Sequence, residues 1–185
     1  MDLKEQISAY TPFNEQEEKD KELILEWLEE KDVFTRKNKR AHFTASAWVV
    51  NPERTKVLMI YHNIYNSWAW MGGHADGEED LLAVAEKEAR EESGITDLKP
   101  ITEDILSLEI VTVSGHEKKG EYVSSHLHLN VTYLFEAPED QLLKVKPDEN
   151  SGVMWIAIDD VKNKSSEPWF VERIYSKLIA KMTKA

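Results

Sequence analysis

Residues 72–95 read GGHADGEEDLLAVAEKEAREESGI, and this run constrains the chain more than any other. It opens on Gly72-Gly73, where a backbone without Cβ can approach another group closely. Asp80 then suits a helix N-cap, and Leu81, Leu82, Ala85 and Ala89 recur at helical spacing. Gly94 suits the left-handed position that ends a helix. On that helix Glu88, Glu91 and Glu92 stand at i, i+3 and i+4, so three carboxylates share an arc of roughly 100°. Like charges so close destabilise a helix unless something neutralises them. A hard divalent cation, Mg²⁺ or Mn²⁺, is the usual partner of clustered oxygen ligands.

A length of 185 residues suits one domain with a small appendage and is enough to bury a core. The formal net charge of −12 argues against a nucleic-acid polymer or an anionic membrane as partner. It leaves room for a small phosphorylated substrate, because a bound metal inverts the local sign. The chain has no cysteine, so disulfides, thiolate metal sites and a cysteine nucleophile are excluded. The first 22 residues hold no stretch of signal-peptide type, and no run of about 18 apolar residues occurs. A cytoplasmic protein is the expectation.

Along the chain, 15–31 has the spacing of an amphipathic helix capped by Asn14, with Leu23, Trp27 and Lys31 on one face and Ile24 and Leu28 beside them. Residues 36–40, RKNKR, form a basic cluster, read as a solvated turn with an anion contact as the minority alternative. Strands are expected at 42–50, 56–62, 105–113, 123–135 and 153–158, with loops at 63–71, 114–121 and 138–150. Residues 168–182 have helical spacing through Phe170, Ile174, Leu178 and Met182. Mixed strands and segregated helices predict an α/β or α+β fold.

The 72–95 pattern resembles the Nudix box, Gx₅Ex₇REUxEExGU, in which U is a bulky aliphatic residue. Gly73, Glu79, Glu88, Glu91, Glu92 and Gly94 match it, whereas Lys87 replaces the usual arginine and Ala89 an aliphatic position. The resemblance implies an α/β/α sandwich with a mixed sheet and a loop–helix–loop motif. It divides the chain into a helical extension over 1–40, packed on the domain, and a Nudix domain over 41–185. It implies a Mg²⁺- or Mn²⁺-dependent hydrolase of a nucleoside diphosphate linked to another moiety, with a homodimer left open. Glu88 and Glu92, then Glu91, would be metal ligands, with the Gly72 carbonyl as a further one. Glu79 would pair with Lys87, through one charge contact instead of a guanidinium fork. Many relatives use an acidic residue outside the box as base or extra ligand; Asp148 and Glu149 are candidates, and Glu149 is the choice.

Other residues admit two readings. His126 and His128 alternate on one strand and so face one side of the sheet, either touching phosphate or base or simply satisfied in place. As a zinc site the pair lacks a third ligand nearby in sequence. Tyr65, Trp68 and Trp70 suit base stacking or plain packing equally. Among other functions, isopentenyl-diphosphate isomerase shares the fold, but its family mechanism relies on a cysteine. A non-catalytic sensing module usually carries an added DNA-binding domain, and no basic helix-turn-helix pattern occurs here. No Walker A loop, GxGxxG or GxSxG elbow is present.

Overall fold

The computed structural model describes residues 2–118 and 120–183. Ten strands run β1 (Ala41–Val50), β2 (Lys56–His62), β3 (Ser67–Ala69), β4 (Met71–His74), β5 (Lys99–Pro100), β6 (Ser107–Val113), β7 (His116–Lys118), β8 (Glu121–Val123), β9 (His126–Glu136) and β10 (Asn150–Ala157). The helices are α1 (Leu3–Ala9), α2 (Glu15–Trp27), α3 (Leu81–Ser93), α4 (Val161–Lys164), α5 (Pro168–Phe170) and α6 (Ser176–Met182). A π-helical stretch, Val171–Tyr175, joins α5 to α6, and Ser176 Oγ donates to Val171 O across it at 2.7 Å.

An eight-stranded mixed sheet has the backbone order β10-β2-β1-β9-β5, with β3 beside β2, β4 beside β1 and β6 beside β9. The β1–β9 pair is parallel and the others are antiparallel. Alternation along the fully buried β1 divides the interior. Phe43, Ala45, Ala47 and Val49 pack with Leu81, Ala85 and Ala89 of α3 in one cluster. Trp48 and Val50 pack with Ile174, Tyr175 and Leu178 in a second cluster. The sheet thus has helices on both faces, the mixed α+β sandwich that the sequence predicts.

The N-terminal helices cover the outer edge of β6, whose unpaired backbone would otherwise invite strand addition. Asp20 accepts the Ile110 N–H at 3.1 Å, and Tyr10 donates to the Leu106 carbonyl at 3.2 Å. Beneath them lies a charged interior. Lys177 Nζ stands 3.2 Å from Glu17 Oε1 and 3.1 Å from Glu109 Oε1, and Lys181 Nζ 3.0 Å from Glu17 Oε1.

Several expectations need correction. The helix expected over 15–31 stops at Trp27, and α1 precedes it, opened by a capping box between Asp2 and Glu5. The loop expected over 63–71 contains β3 and the start of β4, short strands held by pairing with β2 and β1 more than by their own propensity. The 114–121 segment contributes to the β7–β8 hairpin. Strand β10 starts at Asn150, ahead of the expected 153.

Candidate active site

Helix α3 forms as its sequence requires. Asp80 Oδ1 accepts the Ala83 N–H at 3.1 Å, and Gly94 closes the helix at φ +76. Packing Leu81, Ala85 and Ala89 inward sets the rotation of the helix. That rotation turns Glu92 under strand β4, where it is 3% exposed, and leaves Glu91 at the surface. Gly72 N–H donates to Glu92 Oε2 at 3.0 Å. A Cβ on Gly73 would fall 2.5 Å from Glu88 Cδ, so a side chain here would push the Glu88 carboxylate out of its place.

Glu149 reaches the same place from the loop before β10. Fully buried Asn150 pins that loop to the end of α3, with Nδ2 donating to Glu92 O at 2.9 Å, and Lys144 N–H donates to Ser93 O at 2.8 Å. One carboxylate oxygen from each of Glu88, Glu92 and Glu149 lies within 4.8 Å of the others. Asn150 escapes sequence reading because a loop asparagine looks like an ordinary turn former.

The charges are unevenly compensated. Lys87 Nζ lies 3.6 Å from Glu88 and 3.7 Å from Glu91, and Lys146 Nζ lies 3.0 Å from Glu149 and 3.4 Å from Glu91. Among the described residues Glu92 has no ammonium or guanidinium within 4.0 Å. Burial pushes its carboxyl up to about 8, with the charges of Glu149 and Glu88 adding to the rise and the Gly72 N–H opposing it. Burial also raises Glu88, against the pull of Lys87 and Lys146. A buried carboxylate beside two others, without a cation, has the donor set and the charge deficit that a hard divalent ion satisfies.

The expected Glu79–Lys87 pair is absent. Glu79 is exposed just ahead of the N-cap Asp80, while Lys87 lies two turns on and faces Glu88 and Glu91. Trp70 packs edge-on to Phe170 and Tyr175, and Trp68 edge-on to Tyr61, both against the second core cluster. Tyr65 is half exposed and stacks near His62. In the basic cluster Arg36 grips Asp76 through two hydrogen bonds, and Arg40 pairs with Glu30 at 2.9 Å.

His126 and His128 lie on the opposite face of the sheet from α3. The direction is fixed at β4, where Gly73 faces Glu88 while His74, one residue on, pairs with Thr44 and faces the other way. There His74 and His42 meet His128, with ring centroids 4.9 and 5.1 Å from it. The sequence offers no third histidine close to His126 and His128, and the fold brings His42 from β1 and His74 from β4 beside His128. No sequence pattern links these positions, because β1 and β9 pair across about 86 residues.

Comparison with known proteins agrees with this architecture. No curated protein matches the chain. Among solved structures, a C. elegans Ap4A hydrolase is 20% identical with a TM-score of 0.54, covering 77% of this chain and 95% of that one. RenU, a Nudix hydrolase from M. smegmatis, is 18% identical with a TM-score of 0.56, covering 77% and 86%. The E. coli dihydroneopterin triphosphate pyrophosphohydrolase is 12% identical with a TM-score of 0.54, covering 77% and 96%. At these identities the likeness is one of fold. The profile of the NUDIX domain matches residues 40–178, which is most of the chain and includes α3 and all the strands of the large sheet. The chain belongs to the NUDIX domain family and is an enzyme of the Nudix pyrophosphohydrolase type.

Proposed function

We propose that the protein hydrolyses a nucleoside diphosphate linked to another moiety, with Mg²⁺ or Mn²⁺ held by Glu88, Glu92 and Glu149. The observation that carries this reading is the buried, uncompensated Glu92 beside two further carboxylates in a Nudix-box helix. When bound, the cation supplies Lewis acidity toward phosphate oxygens and a water of lowered pKa. The chain's own residues do the rest. The Gly72 N–H orients Glu92, and Asn150 sets Glu149 against it. Gly72, through its carbonyl, is a candidate further oxygen ligand at the same strand. Glu91, at the surface between Lys87 and Lys146, tunes the cluster electrostatically and is the least direct of the carboxylates. Glu149 takes the proton of the attacking water. Lys87 and Lys146 present ammonium groups to an anionic substrate at the rim.

Trp68, Trp70, His126 and His128 are the proposed substrate contacts from sequence. Neither pair gains support from the geometry, since both tryptophans have their rings engaged in packing and both histidines lie on the face of the sheet away from α3. A net charge of −12 favours a small phosphorylated molecule over a nucleic-acid polymer. The test is a panel of phosphoanhydrides with Mg²⁺ or Mn²⁺, including Ap4A and dihydroneopterin triphosphate, the compounds named for two structural neighbours. Hydrolysis in ¹⁸O-water should label a phosphate product with no covalent intermediate. Trapping of a phosphoenzyme, or no turnover of any anhydride, overturns the proposal.

A further inference from the structure

Four of the six histidines, His42, His74, His126 and His128, gather at one end of the large sheet on the face away from α3, with the His116 ring 6.5 Å from that of His126. One ring nitrogen from each of His42, His74 and His128 lies within 4.8 Å of the others. His42 is the most telling. It is 4% exposed, its Nδ1 lies 3.0 Å from the Asn38 carbonyl, and its Nε2 is buried without a hydrogen-bond partner. A carbonyl can only accept, so Nδ1 carries the proton and Nε2 presents a bare lone pair. An imidazole oriented through a carbonyl on one nitrogen, with its other nitrogen unspent, is arranged as metal-ligating histidines are.

The partners are arranged compatibly. His126 Nδ1 stands 2.8 Å from the Ser124 carbonyl and so carries a proton. Its Nε2, 3.2 Å from His128 Nε2, then accepts from that ring when both are neutral. His126 thereby orients His128, whose other nitrogen keeps its lone pair. The backbone fixes the rest, since His42 pairs with His128 across the parallel β1–β9 ladder and His74 arrives opposite Thr44 on β4. Asp76, two residues beyond His74, is held by Arg36.

We propose that His42, His74 and His128 form a second metal site, one for a borderline-soft transition ion such as Zn²⁺, separate from the carboxylate site. Three imidazoles without an oxygen donor suit Zn²⁺, Co²⁺ or Ni²⁺ and not Mg²⁺. Tetrahedral Zn–N bonds place nitrogens about 3.3 Å apart, so the rings close by on the order of 1 Å when the ion enters. His74 and His128 are only half-buried, which leaves the fourth position open to water or to an anionic oxygen. The two sites stand on opposite faces of the same short strand, with Gly72 and Gly73 touching Glu92 and Glu88 and His74 touching the histidines.

Co²⁺ tests this directly, because its visible spectrum reports nitrogen ligation and geometry. Metal-free protein is titrated with Co²⁺ in excess Mg²⁺, and Zn²⁺ is added to displace it. One equivalent with an intense four-coordinate spectrum is expected for the wild type and for Glu88→Gln/Glu92→Gln. His74→Ala and His128→Ala should each weaken binding at least tenfold. Circular dichroism checks their folding, and His74→Ala, at a half-buried position, keeps the test intact should His128→Ala unfold. A weak six-coordinate spectrum, uptake that follows the glutamates, or equal affinity in the histidine variants would overturn the proposal.

Discussion

Glu17 and Glu92 are both buried carboxylates, at 0% and 3% exposure, and they have opposite fates. Burial raises the Glu17 carboxyl, but Lys177, the Tyr10 hydroxyl, the Phe13 N–H and Lys181 outweigh it and hold it at about 2. Burial raises Glu92 too, and there the single Gly72 N–H leaves it at about 8. The first is a finished structural joint between the N-terminal helices, β6 and α6. The second is a charge the fold leaves without a partner, beside two more carboxylates. Acidic residues in the interior are thus told apart by what neutralises them, and only the uncompensated one calls for a ligand.

The sharpest way to break the joint is Lys177→Met. It strands Glu17 and Glu109 with fewer partners and should cost about 3–5 kcal/mol in chemical denaturation, far more than a surface lysine. Acid acts on the same joint. The folded carboxyl of Glu17 is depressed below the ordinary 4.5, so its contribution is complete above pH 4.5 and vanishes as pH falls toward 2. About 3 kcal/mol should disappear across that window in denaturant melts, and a flat profile would mean that the joint is not charged.

On the other side of the comparison, Glu92→Gln keeps the shape and removes the charge. It should lower kcat at least about a hundredfold, roughly 2.7 kcal/mol, with little change in KM on the best anhydride substrate. The smallest effect is expected at Lys87, which is mostly exposed and contacts Glu88 and Glu91 from outside. Lys87→Arg should change kcat/KM by less than about tenfold, or 1.4 kcal/mol. A larger loss would show that the site is fitted to an ammonium.

What could be read from the sequence follows from distance along the chain. The caps Asp80 and Gly94, the buried stripe of α3 and the arc of Glu88, Glu91 and Glu92 all belong to one helix, where the 3.6-residue period carries the information. Resemblance alone points to Glu149, and the device that brings it to Glu92 is the buried Asn150, which has no local signature. Nothing local in the sequence sets His42 and His74 beside His128, because a parallel β1–β9 pairing and the short β4 bring them together. The Glu79–Lys87 pair failed for a local reason: Glu79 precedes the N-cap and lies off the helix face that Lys87 shares with Glu91. Helix α2 ends at Trp27, four residues early, where Leu23 stays half exposed and Ile24 alone of the apolar face is fully buried.

The charge of Glu92 is thus a liability to the fold until a cation arrives. The most direct measurement compares the unfolding free energies of wild type and Glu92→Gln at pH 9, above the raised carboxyl of about 8, with chelator and then with Mg²⁺. The variant should be the more stable protein in chelator, and Mg²⁺ should stabilise the wild type while leaving the variant nearly unmoved. A wild type at least as stable as the variant in chelator, or an equal gain from Mg²⁺ in both, would contradict it.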